Sequence, residues 1–144
     1  MKLKTTLWEH QREMSQAMSR YLGAGRWAGM GTGKSLAAID YIARHNYQRV
    51  LIACPKAVIP VWPNEFAKHA YDLPRILAPT KGSCIAKDQL LRKENDQLGP
   101  LIFVANYESI WRKPLADSIK EIKWDCIICD EIHRIKSPKG KASR

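Results

Sequence analysis

Short, nearly continuous apolar runs recur along this chain, separated by stretches in which apolar residues follow helical spacing. The runs occupy residues 49–54, 75–78, 101–105 and 125–131, and the last ends in two acidic residues. Continuous apolar runs of this length are typical of strands buried on both faces of a parallel sheet. The runs at residues 49–54, 101–105 and 125–131 are therefore predicted to be buried strands, and residues 75–78 a short strand. A further short strand is predicted at residues 25–28.

The stretches between the runs predict helices. These cover residues 7–22, 34–44, 57–70, 83–95 and 108–120. Pro60 and Pro63 interrupt the third, so its regular part is expected to begin near Pro63, and Ser83 is suited to cap the fourth. Strands that alternate with helices indicate an α/β fold, a three-layer sandwich around a mostly parallel sheet.

A glycine-rich loop follows the strand predicted at residues 25–28. Residues 28–35 read Ala-Gly-Met-Gly-Thr-Gly-Lys-Ser. The glycines let several backbone N–H groups point at one anion, and the N-terminus of the next helix adds positive partial charge. In a phosphate-binding loop Lys34 would neutralise the β- and γ-phosphates, and Ser35 would bind Mg²⁺. The strict pattern has glycine in place of Ala28, so a glycine-rich turn capping an ordinary helix is the alternative.

Two acidic residues complete the candidate nucleotide site. Asp130 and Glu131 end the last apolar run, and parallel α/β sheets bind ligands at the carboxyl ends of their strands. Asp130 is suited to holding Mg²⁺, usually through water, and Glu131 to polarising an attacking water as a general base. With the glycine loop earlier in the chain, the pair predicts a site for ATP and Mg²⁺.

The 144-residue chain carries a formal net charge of +10. Such an excess favours a polyanionic partner, either nucleic acid or an anionic membrane. No apolar run reaches the ~18 residues of a membrane span, and the N-terminus lacks the pattern of a signal peptide. No membrane partner is therefore predicted, and an intracellular location in the cytoplasm or nucleoid is expected.

The four cysteines fit a reducing compartment. Cys126 and Cys129 form a C-x-x-C pair, but they lie inside a predicted strand, where residues three apart point to opposite faces. They are predicted to be buried structural residues rather than a zinc or redox pair.

The order of these motifs resembles helicase superfamily 2 of the DEAD/DEAH-box type, and within it the Swi/Snf-like branch of DNA-dependent ATPases. Residues 28–35 match the family's motif I, A-x-x-G-x-G-K-[ST], at every fixed position, which accounts for Ala28. Asp130-Glu131-Ile132-His133 match its motif II, D-E-x-H. Weaker likenesses cover the glutamine motif (residues 7–11), motif Ia (residues 51–56 with Trp62 and Glu65), the I-T-x-Y-E segment (residues 104–108) and the basic extension after motif II (residues 134–141).

The resemblance implies roles for individual residues. Gln11 would recognise adenine, with Trp8 a weaker candidate for a ring contact; a solvated helix glutamine is the alternative. Catalysis would involve Lys34, Glu131 and His133, and His133 would link the γ-phosphate site to DNA-contacting segments. The nucleotide would also contact Gly29, Met30, Gly31, Thr32, Gly33 and Ser35. Lys56, Asn106 and Tyr107 would face the DNA backbone, although Lys56 also fits a solvated surface charge.

The resemblance implies that residues 1–144 are most of the first of two RecA-like lobes, truncated after the D-E-I-H motif and before motif III. A second lobe would then be a partner, and the chain alone would have little ATP turnover. The implied function is ATP binding in a DNA-dependent ATPase, either a helicase or a duplex translocase. A non-enzymatic nucleic-acid-binding module and a P-loop ATPase unrelated to nucleic acid are the alternatives; the D-E-I-H motif and motif Ia argue against the latter. The absent motif III strand predicts a gap between residues 25–28 and 126–129.

Overall fold

The computed structural model describes residues 1–20 and 33–131. The chain divides into two compact units, one formed by Met1–Tyr47 with Asn64–Leu73 and the other by Gln48–Pro63 with the chain from Pro74 onward. The described helices are α1 (Glu9–Met18), α2 (Lys34–His45), α3 (Val61–His69), α4 (Cys84–Asn95), α5 (Tyr107–Ile110) and α6 (Leu115–Glu121), with a 3₁₀ turn at Lys56–Val58. The described strands are β1 (Arg49–Cys54), β2 (Arg75–Leu77), β3 (Leu101–Asn106) and β4 (Cys126–Cys129).

A parallel sheet forms the centre of the second unit. Its described strands lie in the order β2-β3-β1-β4, and every neighbouring pair is parallel. Cys54 lies opposite Asn106, and Ala53 opposite Cys129, so β1, β3 and β4 end at one edge of the sheet. We call it the carboxyl edge. The predicted α/β class with a mostly parallel sheet is confirmed, whereas the strand predicted at residues 25–28 lies outside the described residues.

β1 and β3 are buried on both faces, as their continuous apolar runs predict. On one face, a cluster joins the sheet to α4 and α6; its members are Leu51, Leu91, Leu101, Phe103, Ala105 and Leu115. The other face is equally inaccessible to water; its buried side chains are Val50, Ile52, Ile102 and Val104. Burial of both faces is the pattern of a three-layer α/β sandwich.

β4 differs from the predicted buried strand. Its residues alternate between half-buried and exposed, and Ile127 is 58% exposed. Among the described strands β4 has a neighbour only on its β1 side, so it is an edge strand in this part of the sheet. An apolar run specifies a strand, but its burial depends on which elements cover it.

The prediction of two buried structural cysteines is wrong for Cys129, which is exposed, while Cys126 is half-buried. Burial raises the pKa of Cys126 to about 11, so its thiol is protonated at neutral pH. Residues 1–20 and 33–131 hold no cluster of three or more His, Cys, Asp or Glu side chains placed to bind a metal ion.

The first unit is held together by a buried polar contact between α1 and α2. Ser15 Oγ donates a hydrogen bond to Asp40 Oδ2 at 2.5 Å, and Arg44 donates to the same oxygen at 2.6 Å. Ser15 and Asp40 are both buried, so the carboxylate is satisfied by a hydroxyl and a guanidinium instead of water. This contact fixes α1 beside the helix that follows the glycine loop.

The helix starts follow their local sequence closely. Ser83 caps α4 as predicted, because its hydroxyl accepts a hydrogen bond from Ala86 N at 3.2 Å. α3 begins at Val61, so Pro63 falls in its first turn, where a missing N–H is tolerated. In the described part of the chain, no helix is long and apolar enough to cross a membrane.

Leu91→Ala is expected to lower the free energy of unfolding by about 2–5 kcal/mol, because it leaves a cavity between α4 and the sheet. The matched control is Leu98→Ala, the same change at a side chain that is 97% exposed, which should stay within about 0.5 kcal/mol. Urea unfolding of the two variants measures the difference. Equal effects would contradict the packing of α4 described above.

Candidate nucleotide and nucleic-acid site

The described end of the glycine loop, Gly33, leads directly into the N-terminus of a helix. Gly33 adopts φ 70° and ψ 33°, and α2 begins directly afterwards at Lys34, as predicted. The first helical hydrogen bond runs from Ala37 N to Gly33 O, so the first-turn N–H groups lie at the loop end of the helix. A helix N-terminus of this kind attracts anions. Lys34 and Ser35 occupy its first two positions and are half-buried.

Gln11 lies against this glycine. Its side chain is only 5% exposed, and its Oε1 accepts a hydrogen bond from Trp8 N at 3.0 Å. A methyl group placed on Gly33 would lie 2.0 Å from Gln11 Nε2, so this close approach leaves no room for a larger residue. The alternative of a solvated Gln11 is therefore wrong. Trp8 is 68% exposed, and its ring is accessible.

The carboxyl edge of the second unit gathers the other predicted residues. Lys56 follows β1, Asn106 ends β3, and Asp130 and Glu131 follow β4. Asp130 N donates to Ala53 O at 2.8 Å, which extends the pairing of β4 with β1 by one residue. The topology thus brings these residues to one edge, where parallel α/β sheets bind ligands.

Tyr107 holds the backbone of Asp130 from the other side. Its hydroxyl donates to Asp130 O at 2.6 Å, and its side chain is 5% exposed. Burial, with a smaller contribution from neighbouring negative charge, raises the pKa of Tyr107 well above its ordinary value, so the hydroxyl remains a donor at neutral pH. A contact between Tyr107 and DNA stays a prediction, and the side chain would have to leave this buried position to make one.

A cavity of about 430 Å³ opens beside the ends of β1 and β3. Its charged lining consists of four basic side chains and one acidic side chain: Lys56, Lys81, Lys87, Arg112 and Glu108. We call it the basic pocket. Lys87 is 7% exposed, and its Nζ donates to Asn106 Oδ1 at 3.2 Å. The pocket therefore combines a buried cation with a net positive charge, which suits an anionic ligand.

Hydrogen bonds organise one wall of the basic pocket around Asn106. Its Nδ2 donates to Glu108 Oε2 at 2.8 Å, and its Oδ1 accepts from Ser109 Oγ at 2.6 Å. The bond from Asn106 is the main cause that lowers the pKa of Glu108, with Arg112 and Lys56 contributing more weakly. Glu108 is therefore ionised at neutral pH and offsets only part of the positive charge.

Sequence reasoning missed Lys81, Lys87 and Arg112. They come from the loop before α4, from α4 itself and from the segment after α5, and only the sheet order brings them together. Their local sequence gave little signal. Lys81 stands just before the helix that Ser83 caps, where the helix dipole disfavours a cation, but a single lysine at such a place does not identify a ligand site.

The predicted residues divide between the two units. The first holds Gln11, Gly33, Lys34 and Ser35, and the second holds Lys56, Asn106, Tyr107, Asp130 and Glu131. The remaining predicted residues, Gly29, Met30, Gly31, Thr32 and His133, lie outside the described residues.

Comparison with known proteins places this arrangement in a family. The model of the SNF2-related domain matches residues 11–144. The chain belongs to the SNF2-related domain family. A solved structure, the SWI2/SNF2 ATPase core of Sulfolobus solfataricus in complex with dsDNA, superposes with a TM-score of 0.74 at 25% identity, over 97% of this chain and 29% of that one. The RecA-like fold predicted from the resemblance is confirmed.

Curated SNF2-family relatives extend the comparison. A probable ATP-dependent DNA helicase of Arabidopsis thaliana is 32% identical over 80% of this chain. The ATPase of an ISWI chromatin-remodeling complex of Saccharomyces cerevisiae is 28% identical over 80% of it, and a DNA excision repair protein, ERCC-6-like, of Danio rerio is 26% identical over 96%. The matched region spans 10% of the length of each relative.

Gly33→Ala is expected to destabilise the fold in two separable ways. An alanine is strained in the left-handed conformation of this position, and its methyl group would clash with Gln11. The backbone effect is worth about 1–2 kcal/mol. Adding Gln11→Ala should remove only the clash, so the two substitutions should show an interaction energy of about 0.5–3 kcal/mol in urea unfolding.

The control for this cycle is Gly99→Ala, at a position with φ 94° and nothing within 4 Å of the added methyl group. Gly99→Ala should change the free energy of unfolding by the same amount whether residue 11 is glutamine or alanine. A Gly33→Ala effect that Gln11→Ala leaves unchanged would contradict the close approach of the two residues.

Proposed function

We propose that this chain supplies the ATP-binding part of a DNA-dependent ATPase that uses hydrolysis to move on or remodel duplex DNA. The observation that carries the proposal is the buried Gln11 amide, packed on the last glycine of the loop that opens α2. A phosphate-binding helix N-terminus beside a buried amide offers contacts for both ends of a nucleotide. A glycine-rich turn that merely caps a helix would not require the buried amide.

A small set of residues would bind the nucleotide and its Mg²⁺ and would activate water for hydrolysis. Lys34 would neutralise the β- and γ-phosphates, and adenine would be recognised by Gln11 with a ring contact from Trp8. The Ser35 hydroxyl and the Asp130 carboxylate would hold Mg²⁺, and both are oxygen donors of the kind that this cation prefers. The cation would neutralise charge that develops on the phosphates.

Glu131 would orient and deprotonate the attacking water and so act as the general base. The roles of Gly29 to Thr32 and of His133 stay predictions from the motifs.

The basic pocket supports nucleic acid as the second ligand. Lys56 and Asn106, both predicted to face DNA, line it together with Lys81, Lys87 and Arg112. Cations that contact phosphates bind without regard to sequence and allow a protein to slide along DNA. The ATPase core of Sulfolobus solfataricus was solved in complex with dsDNA, which favours DNA over RNA as the ligand of this chain.

A non-enzymatic module that kept the fold is the second candidate. Asp130 and Glu131 favour turnover, because a module that only bound nucleic acid would need neither a metal ligand nor a general base. Substantial turnover is expected together with a second RecA-like lobe, whose arginine finger is typically worth ~10³–10⁵ in rate. An intracellular location stays a prediction and is supported by the proposed partner, DNA.

Lys34→Ala is expected to abolish Mg-ATP binding while the chain stays folded, because the half-buried lysine supplies charge to the ligand rather than to the core. Calorimetry measures the affinity, and circular dichroism confirms the fold. Lys68→Ala is the matched control, since it removes an exposed lysine on α3. Unchanged affinity in a folded Lys34→Ala variant would refute the nucleotide site.

Lys87→Met is expected to weaken duplex DNA binding to a similar extent for all sequences. It should also reduce the slope of log affinity against log salt by about 1, because one phosphate contact is lost. The matched control is Lys93→Met, which removes the same charge from another position of the same helix, outside the basic pocket, and should change the slope little. Fluorescence anisotropy at several salt concentrations measures both. Equal slopes in the two variants would show that the basic pocket does not contact DNA.

A further inference from the structure

Tyr107 joins the basic pocket to the acidic residues after β4. It is the first residue of α5 and directly follows Asn106, whose side chain lines the pocket. Its hydroxyl reaches the backbone oxygen of Asp130 at 2.6 Å. One residue is therefore connected through its backbone to a pocket residue and through its side chain to the segment that carries Asp130 and Glu131.

The Tyr107 contact helps to fix the backbone just beyond the end of β4. The ladder between β4 and β1 ends with Cys129 opposite Ala53, and Asp130 then makes one more bond to Ala53 O. Glu131 follows with φ 57°, a left-handed conformation that is costly for a residue with a side chain. Such a conformation persists when surrounding contacts impose it. The hydrogen bond from Tyr107 to Asp130 O lies one residue before this conformation.

Two residues of the basic pocket flank Tyr107 in the chain. Asn106 precedes it and Glu108 follows it, and a 2.8 Å hydrogen bond joins their side chains. A phosphate in the pocket would compete with the Glu108 carboxylate for Asn106 Nδ2 and for the positive charge of Lys56 and Arg112. An anion bound there would therefore act on the residues on both sides of Tyr107.

We propose that Tyr107 is a positioning residue that couples a DNA phosphate in the basic pocket to the placement of Asp130 and Glu131. The proposal rests on the proposed function, which gives these two acids their roles toward Mg-ATP. It adds a residue whose effect is transmitted through Asp130 rather than through contact with either ligand. Because coupling between two sites is reciprocal, DNA and nucleotide should change each other's affinity by the same factor.

The test measures this coupling factor in the whole chain. The affinity for a non-hydrolysable Mg-ATP analogue is determined with and without saturating duplex DNA, and the affinity for DNA with and without the analogue. The native chain is expected to give a factor of about 5 or more. Tyr107→Phe keeps the ring and removes only the hydroxyl that bonds to Asp130 O, so the coupling factor should fall close to 1.

Tyr41→Phe is the control, because it removes a tyrosine hydroxyl that pairs with Tyr47 in the first unit and should leave the factor unchanged. A Tyr107→Phe variant with the native coupling factor would overturn the inference. So would a folded variant that loses DNA affinity in the absence of nucleotide, since Tyr107 would then be a DNA contact. A native chain that binds neither ligand would refute the proposed function, whereas one that binds both without coupling would refute the inference alone.

Discussion

β1 is hydrogen-bonded to a parallel strand on each side, and this register determines where the residues of the second unit can act. Because β3 and β4 both pair with β1 in parallel, their carboxyl ends meet at one edge. Lys56, Asn106 and Asp130 reach that edge from segments distant in sequence. The ladder needs strands that tolerate burial on both faces, which is why β1 and β3 are apolar almost without interruption. A shift of one residue in either pairing would move these polar residues to different depths and reverse the faces of their neighbours.

Opposite charges are kept at distinct places along the carboxyl edge. The basic pocket gathers its cations from four segments, and Asn106 holds the single lining carboxylate, Glu108, in its ionised form. Asp130 and Glu131 follow β4, which pairs with β1 on the side opposite to β3. The buried Tyr107 donates a hydrogen bond to Asp130 O from a neutral hydroxyl. The cations of the basic pocket and these two acids therefore follow different strands of the sheet.

The sequence predicts most of the fold because local signals specify most elements. Apolar runs located the described strands, and Ser83 marked the start of α4. The burial of β4 could not be predicted from its apolar residues, since Ile127 is 58% exposed although its side chain is as apolar as those buried in β1 and β3. In the site, Lys34, Asp130 and Glu131 stand in compact motifs and could be named in advance. Lys87 could not, because its pocket exists only once β2 and α4 are placed beside β3. Tyr107 was assigned to the DNA-facing surface from the family resemblance of its segment, and only the three-dimensional structure shows its hydroxyl turned toward Asp130.

The proposed function requires the N-terminus of α2 to bind the phosphates of Mg-ATP. Amide hydrogen exchange of Lys34, Ser35 and Leu36, followed by NMR, tests this requirement, because these N–H groups precede the first helical hydrogen bond, from Ala37 to Gly33. Their exchange should slow when Mg-ATP is added and remain unchanged with Mg²⁺ alone, while exchange in the interior of α6 stays constant. Binding of Mg-ATP with no change at these three amides would contradict phosphate binding at this helix.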